Sequence, residues 1–196
     1  MTTSFILASA NPHKAIEMRD VLMNLGIELL DRPSHVPDVD ETGDSLEENA
    51  LLKARALVDA TGRAAIGDDT GLFVDALEGH PGVRSARFAG EDASYHDNVV
   101  KLLDELNGVA DERRTARFRT VIAVAYPDGG FLTVEGVLEG RITENPRGDR
   151  GFGYDPVFAP FNAMGRTLAE LTSTEKNEVS HRALALRALA LELAQT

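Results

Sequence analysis

The chain has 196 residues and no cysteine, which excludes disulfides and thiolate metal ligands and suits one compact domain, or two lobes sharing a core, over residues 1–196. At 43% hydrophobic and 27% charged it has the balance of an ordinary globular protein, and no run approaches the roughly 18 apolar residues of a membrane span. The net charge of −12 argues against wide binding to a nucleic-acid backbone, and any anionic ligand would need local Lys, Arg or a divalent cation.

The start, Met1-Thr2-Thr3-Ser4, carries no basic leader, which predicts no signal peptide and a cytoplasmic protein. Phe5-Ile6-Leu7-Ala8 reads as a short buried strand. It feeds Ser9-Ala10-Asn11-Pro12-His13-Lys14 and then a helix whose inward stripe is Ala15, Met18, Leu22 and Leu25, with Gly26 as its stop. Asp38 to Gly43 is an acidic loop. Ser45-Leu46-Glu47-Glu48 fits a capping box, so a second helix should bury Leu46, Ala50, Ala54 and Leu57 and end at Gly62.

Ala64-Ala65-Ile66 reads as a strand entering a tight turn, Gly67-Asp68-Asp69-Thr70-Gly71, with Leu72-Phe73-Val74 as the next strand. A third helix spans about Tyr95 to Leu106 with Ser94 as cap. Arg117–Tyr126 and Phe131–Leu138, joined by Pro127-Asp128-Gly129-Gly130, form a hairpin. Gly151-Phe152-Gly153-Tyr154-Asp155-Pro156 marks irregular backbone, and one last helix runs from about Glu175 to Ala194. Early alternation of helix and strand followed by a hairpin predicts an α/β fold with a mixed sheet.

The chemistry-bearing residues each admit two readings. Adjacent Asp68 and Asp69 between glycines repel one another unless a cation neutralises them, and Mg²⁺ takes one or two carboxylates with phosphates and water. They equally suit an Asp-rich turn that caps its own backbone. Glu41 offers another oxygen ligand, whereas Glu47 needs only the helix dipole. Lys53 either points towards phosphates or is a solvated partner of Asn49, four residues earlier. Ser9 to Lys14, between a strand and a helix, suits an anion but lacks Walker spacing, and a plain N-cap explains it as well. Lys176, His181 and Arg182 cluster in one polar stretch, where Arg182 could fork to phosphate or stack on a base and His181 could bond a base edge, though His and Arg on a helix are as readily solvated or structural; Phe152 and Tyr154 could stack on a purine or belong to the core.

The order of these segments is more telling than any one of them. Ser9-x-Asn11-x-x-Lys14, Glu41-Thr42-Gly43, Glu48-Asn49-Ala50-x-x-Lys53-Ala54, Gly67-Asp68-Asp69-Thr70-Gly71-Leu72, His80-Pro81-Gly82-Val83-x-Ser85-Ala86-Arg87, Gly151 to Pro156 and Ser180-His181-Arg182 closely resemble the inosine triphosphate pyrophosphatase family over nearly the whole chain. The resemblance implies hydrolysis of dITP, ITP and XTP to the monophosphate and pyrophosphate, with Mg²⁺ as cofactor. It also implies an elongated mixed sheet flanked by helices, two lobes with a central nucleotide cleft, and a homodimer.

Carried over by position, Ser9, Ala10, Asn11, Pro12, His13, Lys14 and Lys53 would contact phosphates. Asp69 would bind Mg²⁺ with Glu41 and accept the proton of the attacking water, with Asp68 as a further candidate ligand, and Thr70 would touch substrate. Phe152, Gly153, Tyr154, Asp155, Lys176, His181 and Arg182 would shape the base pocket. Ala10 departs mildly from the Gly or polar residue of many relatives. Two other readings compete: a Maf-like pyrophosphatase of other nucleotide specificity, and a catalytically silent nucleotide-binding module.

Overall fold

The structure is a computed structural model that describes residues 3–195; Met1 and Thr2, on which the leader reading partly rests, lie outside them, as does Thr196. In chain order the main elements are β1 (Thr3–Leu7), α1 (Pro12–Asn24), β2 (Ile27–Leu30), α2 (Leu46–Thr61), β3 (Ala65–Val74), β4 (Pro81–Gly82), α3 (Tyr95–Glu105), β5 (Thr115–Ala125), β6 (Phe131–Ile142), β7 (Phe158–Pro160), α4 (Ser173–Val179) and α5 (His181–Leu193). The strands make one seven-stranded sheet in the order β2-β1-β3-β5-β6-β7, with β4 paired to β3. β1 runs parallel to β2 and β3, while β4 and β7 pair antiparallel, so the sheet is mixed and the fold α/β as expected. No described helix is long and apolar enough to cross a membrane.

The chain divides into two compact units: residues 1–69, 120–136 and 181–196 form the first, and 70–119 with 137–180 the second. In the first, Phe5 and Leu7 of β1 and Ile66 of β3 pack with Met18 and Leu22 of α1 and Leu186 and Leu189 of α5. The alternate residues Ile6, Ala8 and Ala65 pack with Leu57 of α2. Alternation along a strand therefore puts α1 and α5 on one face of this part of the sheet and α2 on the other. The second unit has its own core, built from Leu72 and Val74 of β3, Val99 and Leu102 of α3, Phe118, Phe158 and Tyr154.

The helix starts follow local chemistry. Ser45 accepts from Glu48 N at 3.2 Å while Glu48 reaches back to Ser45 N at 3.2 Å, and Gly62 ends α2 at φ 65°. Ser94 and Asp97 make the same box for α3.

Two expectations need correction. Gly67 to Gly71 is no turn: β3 runs unbroken from Ala65 to Val74. Gly67 serves a close approach instead, because a Cβ there would lie 2.3 Å from the Ala50 carbonyl oxygen and so hold α2 off the sheet. The last helix is also two, since Ser180 turns extended (φ −67°, ψ 153°) between α4 and α5. No Gly or Pro announces that break, and Ser competes for backbone hydrogen bonds in a way periodicity does not register. β2 was not foreseen at all.

Candidate active site

The uninterrupted β3 decides the geometry of the two aspartates. Consecutive strand residues face opposite sides of the sheet, so Asp68 points towards α1 and α5 and Asp69 towards α2.

On the first side, Asp68 is buried at 1% exposure. Its Oδ2 lies 2.9 Å from Lys14 Nζ and 3.8 Å from Arg182 Nε, and Arg182 also pairs with Glu17 of α1. Neither carboxylate oxygen has a well-directed hydrogen bond among the described residues, so charge rather than hydrogen-bond geometry holds this group. Burial alone would raise the Asp68 pKa, but Lys14, Arg182 and Lys53 together outweigh it and hold the carboxyl well below the usual range. Lys14 sits in the first turn of α1, which Asn11 caps by accepting from His13 N at 3.0 Å and Lys14 N at 3.4 Å, with Pro12 opening the helix. Ser9 accepts from Asn11 N at 3.4 Å, and Ala10, Pro12 and His13 are exposed. The loop is thus both an N-cap and a preformed, electropositive helix start.

On the other side, Lys53 Nζ stands between Glu41 Oε1 at 2.9 Å and Asp69 Oδ1 at 3.0 Å. Asn49 donates to Asp69 Oδ2 at 3.4 Å and accepts from Gly43 N at 2.8 Å, tying the acidic loop to α2. Lys53 and Asn49 therefore share a helix face without pairing with each other. Burial raises the Asp69 pKa and Glu41 adds to the rise, against the opposing pull of Lys53 and Lys14. Lys53 behaves conversely: burial would lower its pKa, but Asp69, Asp68 and Glu41 raise it, so it stays an ammonium. The two neighbouring aspartates are driven in opposite directions, because the strand turns them to different sets of charges.

Glu41 and Asp69 suit Mg²⁺. They are two hard oxygen donors gathered around the Lys53 ammonium, the number of carboxylates this ion takes when phosphate oxygens and water complete its shell. Asp68 is brought to Lys14 and Arg182, not to this pair, because the strand turns it to the opposite face. Glu47 has a structural partner, accepting from Thr133 at 3.1 Å.

In the second unit, Asp155 Oδ2 accepts from Phe152 N at 2.9 Å and from Lys176 Nζ at 2.6 Å, and the Lys176 ammonium lies 4.9 Å from the Phe152 ring centroid. Lys176 is carried by α4, whose start is set by a Thr172–Glu175 capping box. Gly151, at φ 75°, leaves the space that Asp155 fills: a Cβ there would lie 2.0 Å from Asp155 Oδ2. Phe152 and Gly153 belong to the turn around this pair, and Thr70 is half-buried in β3. Tyr154 differs from the stacking expectation, since its ring is buried at 5% in the core and its hydroxyl donates to the Ser85 carbonyl at 2.8 Å. His181 and Arg182 open α5 in the first unit, both buried. Sequence reasoning missed Glu17, whose partner Arg182 lies 165 residues away, and Ser85, whose motif suggested no chemistry.

A family model described as the Ham1 family matches residues 5–192. The chain belongs to the Ham1 family. It is 52% identical over 186 residues to a "dITP/XTP pyrophosphatase" of Thermoanaerobacter sp. (strain X514), covering 94% of this chain and 93% of that one. Among solved Ham1 folds, the HAM1 protein from Coxiella burnetii superposes with a TM-score of 0.88 at 41% identity, over 99% of this chain and all of the other (100%). A nucleoside-triphosphatase / dITP/XTP pyrophosphatase from Mycobacterium abscessus gives a TM-score of 0.75 at 45% identity, over 95% and 97% of the two chains.

Proposed function

We propose that this Ham1-family chain hydrolyses non-standard purine nucleoside triphosphates, namely dITP, ITP and XTP, to the monophosphate and pyrophosphate. The observation that carries the mechanism is the separation of Asp68 from Asp69. Asp68 stays ionised as the counter-ion that fixes Lys14 beside the start of α1. Asp69, on the opposite face with Glu41, Asn49 and Lys53, takes the proton of the attacking water.

Ser9 to Lys14 receive the triphosphate through backbone N–H groups at the start of α1 and the Lys14 ammonium, and Lys53 adds a second positive charge. Asp69 orients and deprotonates a water whose oxygen attacks the α-phosphorus. The bond from that phosphorus to the bridging oxygen breaks, and pyrophosphate departs with the electron pair. Mg²⁺, held by Glu41 and Asp69 together with the substrate, would supply Lewis-acid neutralisation of the phosphate charge.

Phe152 and the Asp155–Lys176 pair face the base, with Thr70, His181 and Arg182 completing the substrate contacts. A 6-keto oxygen accepts a hydrogen bond where the adenine amino group only donates, so the wrong base leaves a buried donor unpaired. The enzyme works as a cytoplasmic homodimer in this reading.

Pyrophosphate release from dITP, XTP, dATP, dGTP and dTTP, each with Mg²⁺ and with EDTA, tests the whole. Mg²⁺-dependent release confined to dITP and XTP is expected. Release from dTTP instead would move the chain to the Maf-like specificity, and saturable ITP binding with no release would make it a silent binding module.

A further inference from the structure

The proposed chemistry makes no use of the segment from Pro81 to Arg87, although it is among the most structured on the chain. Ser85 is buried at 6% exposure and makes hydrogen bonds in three directions. Its Oγ accepts from Leu72 N at 2.8 Å and donates to the Gly82 carbonyl at 2.5 Å, while its own carbonyl accepts the Tyr154 hydroxyl at 2.8 Å. Asn98 of α3 fixes the residues that follow, donating to the Ala86 carbonyl at 2.9 Å and accepting from Ala89 N at 2.8 Å. The segment is therefore a rigid block bonded to β3 at Leu72, three residues beyond Asp69 in the chain.

Tyr154 carries that rigidity into the loop. Its ring packs in the core of the second unit with Leu72, Val157 and Phe158, and burial pushes its phenol pKa upward, so the hydroxyl remains a donor. Its carbonyl accepts from Val157 N at 3.0 Å and Phe158 N at 3.1 Å. The next residue is Asp155, whose amide donates to the Phe152 carbonyl at 3.2 Å and whose carboxylate accepts from Phe152 N and Lys176 Nζ. One hydroxyl thus connects the strand-bound block to the pair that faces the base.

We infer that Ser85 and Tyr154 are positioning residues for purine selection: together they hold the Asp155–Lys176 pair in place, and Tyr154 does not itself stack on the base. The inference rests on the reading that Asp155 and Lys176 contact the purine. Directional contacts discriminate only when held to a fraction of an ångström, so a loosened support shows in selectivity before it shows in fold.

The test uses the full chain and three variants: Tyr154→Phe, which keeps the ring, Ser85→Ala, which keeps the carbonyl but removes Oγ, and Asp155→Asn as reference. For each, kcat/KM is measured for dITP and for dATP, and hydrogen exchange is followed at the amides of residues 151–156. Tyr154→Phe should lower the dITP-to-dATP ratio about three- to tenfold, the worth of one buried hydrogen bond, and speed exchange at Phe152 and Asp155. Ser85→Ala should shift both readouts in the same direction. Combined with Asp155→Asn, Tyr154→Phe should cost no further selectivity, because it acts through that residue. If Asp155→Asn collapses the ratio while Tyr154→Phe and Ser85→Ala only lower the melting temperature, the two are merely structural and the inference is overturned. If Asp155→Asn itself leaves the ratio unchanged, the base-contact reading fails first and the inference falls with it.

Discussion

In the first unit, polar chemistry is spread over several charges of both signs; in the second, the Asp155–Lys176 pair is set within a short turn of the backbone. Around β3 of the first unit, Lys53 answers Glu41 and Asp69 at once, and Asp68 answers Lys14 and Arg182 at once. Each group is balanced by several others, so no one distance decides its state. In the second unit, Asp155 and Lys176 pair at 2.6 Å, with the Phe152 amide donating to the same carboxylate oxygen and the Tyr154 hydroxyl anchoring the preceding residue. A phosphate chain, which carries diffuse negative charge, suits a field. A purine edge, which differs from its competitors by one donor or acceptor, needs direction. Rate should therefore live in the first arrangement and selectivity in the second.

The sharpest way to break that division is Asp69→Asn. It should keep the fold, since the amide still fits beside Asn49 and Lys53, and lose about 10²- to 10⁴-fold in turnover on dITP and XTP alike. Steady-state pyrophosphate release with both substrates checks this. A residual rate within tenfold of the parent would remove Asp69 as the base, and a change in the dITP-to-dATP ratio would show that the two arrangements do not divide the work.

Gly151→Ala probes the other half. The new Cβ would lie 2.0 Å from Asp155 Oδ2 at a backbone φ of 75°, so Asp155 must shift and strain of about 1–3 kcal/mol enters the loop. Selectivity should fall by roughly tenfold, as expected when about 1.4 kcal/mol of directed contact is lost. Competition between dITP and dATP, with a urea midpoint as control, separates lost aim from lost stability.

The smallest effect concerns the support of Lys176. The Thr172 amide and hydroxyl and the Arg166 guanidinium hold the Glu175 carboxyl down to about 2 in the folded state. A depressed folded pKa adds stability above the unfolded value of 4.5, and that increment fades as pH falls from about 4.5 to about 2. Glu175→Gln should flatten the stability-versus-pH curve in this window and leave it unchanged in shape near neutrality. Urea denaturation of the two proteins across that range measures the difference.

What could be read beforehand was local. Ser45 with Glu48, Ser94 as a cap and Pro127 to Gly130 as a turn all announce themselves within four residues, because caps and turns satisfy backbone groups close by in sequence. The helix stripes through Met18 and Leu22, and through Ala50, Ala54 and Leu57, were legible for the same reason. What stayed hidden was decided by distant partners. Gly67 looks like a turn residue until Ala50 of α2 is laid against it. Arg182 gives no sign in the sequence that Glu17 and Asp68 are its neighbours. Tyr154 looks like a stacking ring until Ser85 accepts its hydroxyl. The family is legible in the order of motifs, whereas the opposite surroundings of Asp68 and Asp69 follow only from β3 being one strand.

That strand also makes register a variable of the charge arrangement. Inserting or deleting one residue just before Asp68 would exchange the two sides, presenting to Lys14 the carboxylate meant for Lys53 and reversing which acid is kept ionised. The sheet acts here as a partition one backbone thick, with the partner of Lys14 mounted on one surface and the partner of Lys53 on the other. Two adjacent letters of the sequence are thereby given separate rooms.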